Sequence, residues 1–321
     1  MVKIAFSSSG FSERGTEVAL YDYANCNETI LGNESIIVMQ ENPDSKLEVI
    51  DKFKKRFKVL FHDPNSQYEL DKILEKEKCD YRYEIKFGLN DRLMSNVCKN
   101  LIHCVFDVSQ PHGDKYAAIC EWLSRSRTNG KIPWVPHIIE VPDCNNENMR
   151  NELNIPKDAL VFGRHGGQTT FNLPFVHDMV YCIANMHPNI YFIFLNTSKF
   201  CPNMPNIIHL NMTVDINEKI KFINTCDAML HARSQGEVFS IALGEFAKRN
   251  KPILTYSNPL DKGHFFVFKD KLLIYNDDIE LYNLITTFKE KIDPLADWDP
   301  YKDKFNEINV MKQFKEVFLD D

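Results

Sequence analysis

The stretch Asp227-Ala228-Met229-Leu230-His231-Ala232-Arg233-Ser234-Gln235-Gly236-Glu237-Val238-Phe239-Ser240-Ile241-Ala242-Leu243-Gly244-Glu245-Phe246 reads as a strand, a loop and a helix in succession. Ala228–Ala232 is an apolar run of strand length, and Pro252-Ile253-Leu254-Thr255-Tyr256 is a second one downstream. The element between them turns helical at about Ser240. Glu237 then lies in the loop beside the helix start, and Glu245 lies about one turn inside, with seven residues between the two. Free N–H groups at a helix start attract a diphosphate. A carboxylate on either side accepts hydrogen bonds from sugar and ribose hydroxyls. The combination suits a nucleotide-sugar. A solvated acidic helix in any α/β domain has the same spacing.

Outward from this unit the chain keeps alternating. In the second half Ala159–Gly163 reads as a strand, Phe175–Met186 as a helix begun near Pro174, and Asn189–Leu195 and Ile207–Leu210 as strands. Asn217–Cys226 reads as a helix, Leu272–Tyr275 as a strand and Ile279–Lys291 as a helix. In the first half Lys3–Ser7, Ser35–Met39, Lys58–Phe61, Tyr81–Lys86 and Asn100–Phe106 read as strands. Gly15–Cys26, Ser45–Phe57, Ser66–Lys78 and Asp114–Ser126 read as helices. Such alternation predicts a mostly parallel sheet covered on both faces in each half. The stretch holding Pro133, Pro136, Pro142, Asp143, Asn145 and Asn146 reads as an interdomain linker. Tyr301–Phe318 is expected to be helical, with Phe305, Ile308, Met311, Phe314 and Phe318 at roughly helical spacing. Ligands of doubly wound sheets bind outside the carboxyl ends of the strands.

The 321 residues, 44% of them hydrophobic, suffice for one large core or two ordinary ones. A net charge of −7 argues against a dedicated nucleic-acid binder. Met1–Ser7 is too short an apolar run for a signal peptide, and no run approaches the roughly 18 apolar residues of a membrane span. Nine cysteines without a Cys-x-x-Cys pair fit reduced thiols and a cytoplasmic location. The chain carries no zinc pattern, Walker lysine loop or Gly-x-Gly-x-x-Gly.

The second half resembles the C-terminal domain of GT-B glycosyltransferases, most closely the retaining enzymes of glycosyltransferase family 4. Three features carry the resemblance, in the family's order. They are Leu153–Arg164, which ends in Gly163-Arg164; Asp227–Glu237 with its partner Glu245; and Asn250-Lys251-Pro252-Ile253-Leu254-Thr255. Asn309–Phe314 is similar to the family's last helix, which crosses back to the first domain. The first half shares the topology and the loop Ser9-Gly10-Phe11-Ser12-Glu13-Arg14-Gly15-Thr16. The resemblance implies two Rossmann-like doubly wound domains, residues 1–135 and 136–298, facing across a cleft, with residues 299–321 as the crossing helix. The family places a lysine shortly after Gly-Arg. Here the loop reads His165-Gly166-Gly167-Gln168-Thr169-Thr170-Phe171 without one. Phosphate charge is then left to Arg164, to the backbone N–H groups of Gly166 and Gly167, and to Arg233, which is equally readable as a surface arginine.

Each candidate has a plainer alternative. Arg164 closes a predicted strand at its carboxyl end, where a planar bidentate donor suits a diphosphate; an interdomain salt bridge is the alternative. Gly15 and Thr16 open the first helix, and the resemblance places their loop over the sugar; an ordinary strand-to-helix turn is the alternative. The family puts a histidine of the first domain near the reacting carbon, and His103 and His112 are the candidates. His103 sits mid-strand and reads as a core histidine, whereas His112 lies in a loop, flanked by Asp107 and Asp114. Asn196, Thr197 and the loop Asn211-Met212-Thr213 flank the nucleotide base by resemblance. Val238, Phe239 and Ser240 lead into the helix that meets the phosphates. Asp297-Trp298-Asp299 is read as a chance match to the Asp-x-Asp metal motif of a different fold. Lys52, Lys54, Lys55, Arg56 and Lys58 form a basic run suited to anionic lipid or acidic glycan, or to a solvated face.

The resulting expectation is a metal-independent, retaining transfer of a sugar from a UDP- or GDP-type donor to a hydroxyl on a glycan, glycoprotein or glycolipid. Glu237, His112 and Asp107 are the catalytic candidates. A nucleotide-sugar epimerase and a non-catalytic nucleotide- or sugar-binding protein are the alternatives.

Overall fold

The computed structural model describes residues 2–12, 14–142, 146–293, 295–302 and 304–320. Glu13 of the first loop and Asp143 and Asn145 of the proline- and asparagine-rich stretch lie outside the described residues. The chain divides into two compact units. The first is Met1–Ile138 together with Asp303–Asp321, and the second is Ile139–Lys302.

In the first unit β1 (Lys3–Ser7), β2 (Glu34–Gln40), β3 (Lys58–His62), β4 (Tyr81–Lys86), β5 (Lys99–Cys104) and β6 (Lys115–Ala118) form one sheet of order β3-β2-β1-β4-β5-β6. All pairings are parallel. The central strands are unbroken apolar runs such as Ile36-Ile37-Val38-Met39, as expected where helices cover both faces. The covering helices are α1 (Gly15–Thr29), α2 (Leu47–Lys54), α3 (Gln67–Glu77) and α4 (Glu121–Thr128). Strand order reverses between β1 and β4, which makes their carboxyl ends the switch point.

The helix expected over Asp114–Ser126 is instead β6 followed by α4. Ala117, Ala118, Ile119 and Cys120 are all buried, so the segment shows neither alternation nor a one-sided stripe. The expected helix Tyr301–Phe318 begins only at Asn306, whose side chain caps it, and runs as α11 (Glu307–Phe314) into a π-type turn, Lys315–Leu319. Phe314 and Phe318 pack on Tyr83, Phe314 also packs on Tyr23, and the Gln313 amide donates to Trp134 O at 2.6 Å. Ile308, counted in the apolar stripe, is exposed.

In the second unit β7 (Leu160–His165), β8 (Ile190–Leu195), β9 (Ile207–Leu210), β10 (Ala228–His231), β12 (Ile253–Tyr256) and β14 (Leu272–Tyr275) form a second parallel sheet of order β14-β12-β10-β7-β8-β9. The helices α5 (Pro174–Met186), α6 (Ile216–Thr225), α7 (Ile241–Lys248), α9 (Asp278–Thr286) and α10 (Phe288–Lys291) cover it. The expected helix Ile279–Lys291 is therefore split at Thr287. A small ladder of β11 (Gly236–Glu237) with β13 (Asp261–Lys262), leading into α8 (Gly263–Phe268), has no counterpart in the sequence reading. Six parallel strands with alternating helices in each unit make two Rossmann-like domains. The second sheet reverses order between β7 and β10, and the glutamate-bearing element leaves β10 there.

Candidate functional site

Glu237 is placed by a turn that only glycine permits. Gly236 has φ +71°, and a Cβ on it would stand 2.1 Å from Asp261 O. The chain then runs for two residues beside β13 and brings Glu237 back toward the end of β10. Arg233 Nη1 donates to Glu237 Oε2 at 2.9 Å, and His231 Nε2 lies 3.3 Å from Oε1. Burial alone raises the carboxyl pKa. The His231 hydrogen bond and the Arg233 charge outweigh it and hold the group below the usual carboxylate range. Glu237 is thus a fixed anion, both of whose oxygens are gripped from the protein side. Val238 is buried behind it, and the Phe239 ring lies 6.4 Å from that of Tyr301.

Ser240 caps α7, its Oγ accepting from Leu243 N at 3.4 Å. Glu245, on α7, is only 2% exposed. Lys219, from the first turn of α6, donates to Oε1, and His165 Nε2, at the end of β7, stands 3.0 Å from Oε2. The His165 ring stacks on Phe246 at 5.6 Å. Burial again pushes the carboxyl up, but the Lys219 charge and His165 bring it down to about 2. Burial keeps the His165 imidazole below its ordinary value despite this carboxylate.

Arg164, Gly166, Gly167 and Asn196 come together at the carboxyl ends of β7 and β8. Arg164 is 4% exposed. Its Nη1 donates to Thr197 Oγ1 at 2.5 Å, and its Nη2 donates to Gly167 O at 2.9 Å and to Thr170 Oγ1. Asn196, at φ +52°, donates from Nδ2 to Gly166 O at 3.0 Å. Gly166 sits at φ +152°, where a Cβ would press on Arg164 at 2.8 Å. The arginine fork and the asparagine amide therefore shape the glycine loop. Burial lowers Arg164 to about 10, with Glu237 partly opposing the shift, so it stays a cation at neutral pH. Thr213 lies in the turn before α6, its hydroxyl accepting from Asp215 N at 3.0 Å.

In the first domain Gly15 and Thr16 open α1 after the carboxyl end of β1. Thr16, Ser12 and Ser8 all donate hydroxyls to Glu17, at 2.9, 2.5 and 3.2 Å. Asp107 Oδ1 accepts from Ser109 N at 2.7 Å, in the segment after β5, and the Ser109 hydroxyl together with this N–H lowers its pKa. His112 is not followed by a helix. It enters β6, next to Gly113, whose Cβ would meet Asn100 O at 3.0 Å at the start of β5, and its ring nitrogen is 2.6 Å from Gln110 O. This is the amino edge of the sheet, opposite the carboxyl ends where ligands of such sheets bind. His103 is a core histidine, bonded to Tyr83 Oη at 2.6 Å and to Val135 O at 2.9 Å, with burial lowering its pKa to about 4.

Among the described residues no group of three or more His, Cys, Asp and Glu side chains is placed to hold a metal. Asp297 is ion-paired with Lys271 and Lys302 at the surface. In the basic run Lys52 lies over the Tyr21 ring, Arg56 pairs with Glu28, and Lys58 pairs with Glu77. No helix of the described residues is long and apolar enough to cross a membrane.

No protein-family model matches the chain, and no curated protein matches its sequence. Solved structures match nearly its whole length. HepE (Alr3699) of Anabaena in complex with UDP and glucose superposes with a TM-score of 0.70 at 13% identity, over 98% of this chain and 99% of that one. A glycosyltransferase from Rickettsia africae gives 0.69 at 13% identity, over 98% of each. MnaA of S. aureus bound to UDP gives 0.63 at 14% identity, over 98% and 96%. At such identities the likeness is one of fold. The chain has the two-domain GT-B architecture.

Proposed function

We propose that the chain is a glycosyltransferase that holds a nucleoside-diphosphate sugar on its second domain and transfers the sugar to a hydroxyl acceptor. The observation that carries this reading is the pair of ionised carboxylates around the α7 start, Glu245 buried and Glu237 nearly so, beside a glycine loop at the switch point. Glu237 would meet sugar hydroxyls and offset the positive charge that grows on the ring as the glycosidic bond breaks. Glu245 would meet the ribose. The first-turn N–H groups of α7, the Gly166 and Gly167 amides, Arg164 and Arg233 would take the departing diphosphate, so the chemistry needs no metal. Retention of configuration follows from the resemblance. UDP is the proposed nucleotide, because HepE and MnaA, similar in fold, were each solved with it. The hydroxyl acceptor would be a glycan, glycoprotein or glycolipid.

The deciding experiment is calorimetric titration of UDP into the wild type, Glu245→Ala and Glu237→Ala, with turnover measured beside it in EDTA. A charge-assisted hydrogen bond contributes about 1.5–3 kcal/mol, so Glu245→Ala should weaken UDP about ten- to a hundredfold. Glu237→Ala should leave UDP binding nearly intact and lower turnover. Reversed effects would exchange the roles, and no effect in either variant would leave the acidic-helix alternative. Fold likeness to a UDP-N-acetylglucosamine 2-epimerase from Listeria monocytogenes (TM-score 0.65, 13% identity) keeps an epimerase in view: sugar epimerised or released without an acceptor would favour it.

A further inference from the structure

We propose that His264, Thr255 and His231 form a one-way hydrogen-bond relay that fixes the imidazole of His231 so that it donates to Glu237, which makes all three positioning residues for the donor-sugar contact. The proposal rests on the reading of Glu237 given above. The parallel register of β10 and β12 sets His231 beside Thr255, and β13 delivers His264 from the start of α8. Thr255 Oγ1 lies 2.8 Å from His231 Nδ1 and 3.3 Å from His264 Nε2, while His231 Nε2 lies 3.3 Å from Glu237 Oε1. All four side chains are buried or nearly so.

The direction of the relay follows from what each group can give. An ionised carboxylate only accepts, so His231 must present Nε2–H to Glu237. In the tautomer that carries its proton on Nε2, His231 offers Nδ1 as an acceptor, and Thr255 donates to it. The threonine oxygen is left to accept, and His264 Nε2–H supplies that bond. His264 is suited to a fixed neutral role, because burial, the largest cause, lowers its pKa to about 3. The frame around the relay is tight. Tyr275 Oη donates to His231 O at 2.7 Å, and a Cβ on Gly263 would stand 1.9 Å from Val238 O, so α8 is locked against the segment that carries Glu237. The charged and titratable groups facing Glu237 are His231 from β10, Arg233 from the loop, His264 from α8 and Arg164 from β7. On β13, Asp261 is bound to Gln235 and Lys262 is exposed.

The test uses the full chain labelled with 13Cδ-glutamate, the Glu237 carboxyl resonance being assigned by its loss in Glu237→Gln. Its pH titration is compared in the wild type, Thr255→Val, Thr255→Ser and His264→Phe, with UDP-sugar turnover and UDP affinity measured on the same samples. Thr255→Val should move the Glu237 titration upward and lower kcat about tenfold, the effect of one lost hydrogen bond, with UDP affinity unchanged. Thr255→Ser, which keeps the hydroxyl, should restore both, and His264→Phe should move both in the direction of Thr255→Val. The proposal is overturned if folded Thr255→Val titrates and turns over like the wild type. It is equally overturned if Thr255→Ser behaves like Thr255→Val, because side-chain shape and not the hydroxyl would then be at work. A titration that moves as expected in a protein without turnover on any UDP-sugar would uphold the relay and remove the glycosyltransferase reading.

Discussion

Glu17 and Glu245 invite comparison, one in each domain: each is a buried carboxylate on a helix that covers a parallel sheet. Their partners differ in kind. Glu17 is held by three neutral hydroxyls, those of Ser8, Ser12 and Thr16, and burial raises its pKa despite them. Glu245 is held by the Lys219 ammonium and His165, and its pKa falls to about 2. Neutral donors soften the desolvation of a carboxylate, whereas a cation reverses it. The first domain therefore keeps a carboxyl that takes up a proton more readily than in the unfolded chain. The second keeps one that resists protonation, in the domain proposed to bind an anionic nucleotide through a ribose contact.

Breaking the cation side of this comparison should give the largest effect. Lys219→Met leaves Glu245 buried with only His165, and removing one partner of a buried pair costs about 3–5 kcal/mol. Trp122 and Trp134 lie in the first unit and Trp298 in the second, so a Trp122→Phe/Trp134→Phe background isolates the unfolding of the second domain. The Trp298 denaturation midpoint should fall sharply in Lys219→Met and recover in large part in Lys219→Met/Glu245→Leu. Equal midpoints for the wild type and Lys219→Met would mean the pair is not coupled to stability.

The same pair sharpens the comparison through pH. The Glu245 carboxyl is lower in the folded state, about 2, than its ordinary 4.5. Its stabilisation is therefore fully present above 4.5 and is lost as pH falls toward 2. The loss amounts to about 3 kcal/mol over that window at one unit per 1.36 kcal/mol. Glu245→Gln should flatten this part of the acid limb of the Trp298 transition.

What the sequence makes legible follows from what is local. The strands that are continuous apolar runs, and the helix after Ser240, are written in adjacent residues. β6 is not, because the buried run Ala117-Ala118-Ile119-Cys120 joins its end to the cap of α4 without a period. The two glutamates announce themselves by spacing and by company. Lys219, His165, Thr255 and His264 do not, because each reaches its glutamate or its histidine from another element, and only strand register and helix placement bring them in. Arg164 stands out in sequence, but its engagement with Thr170, Gly167 and Thr197 depends on how the glycine loop turns back. His112 shows the reverse: a chemically apt residue whose place at the amino end of a strand is set by a segment misread as helix.

A packing change should cost less than the loss of a charge partner. Gly163 lies on β7 directly over Cys226, and a Cβ there would stand 2.1 Å from Sγ. Gly163→Ala should destabilise the second domain by about 1–3 kcal/mol, the usual penalty for overpacking a filled core. The Trp298 midpoint measures it, and Gly163→Ala/Cys226→Ala, which makes room, should return most of the loss. If the double variant is no better than the single one, the constraint is in the backbone and not in the sulfur contact.

The smallest expected effect lies on the hydroxyl side, and it has the opposite sign. Because the Glu17 carboxyl is raised in the folded state, the folded protein binds that proton more tightly than the unfolded chain does. Its contribution is most favourable below the ordinary carboxylate value and declines as pH rises from there through the folded value, after which it is constant. Glu17→Gln keeps the shape but cannot ionise, and its single amide oxygen can accept from the hydroxyls on one side only, while its NH2 must donate on the other. It should therefore leave the low-pH stability of the first domain within about one hydrogen bond, 0.5–1.5 kcal/mol, of the wild type. It should also remove the decline above the ordinary value, so the two curves converge or cross as pH rises. The emission of Trp122 and Trp134 during denaturation, in a Trp298→Phe background, follows this domain. If stability instead rose with pH in the wild type and not in Glu17→Gln, a cation would have to be acting on Glu17 as Lys219 acts on Glu245. The contrast between a hydroxyl-held and a cation-held carboxylate would then be lost.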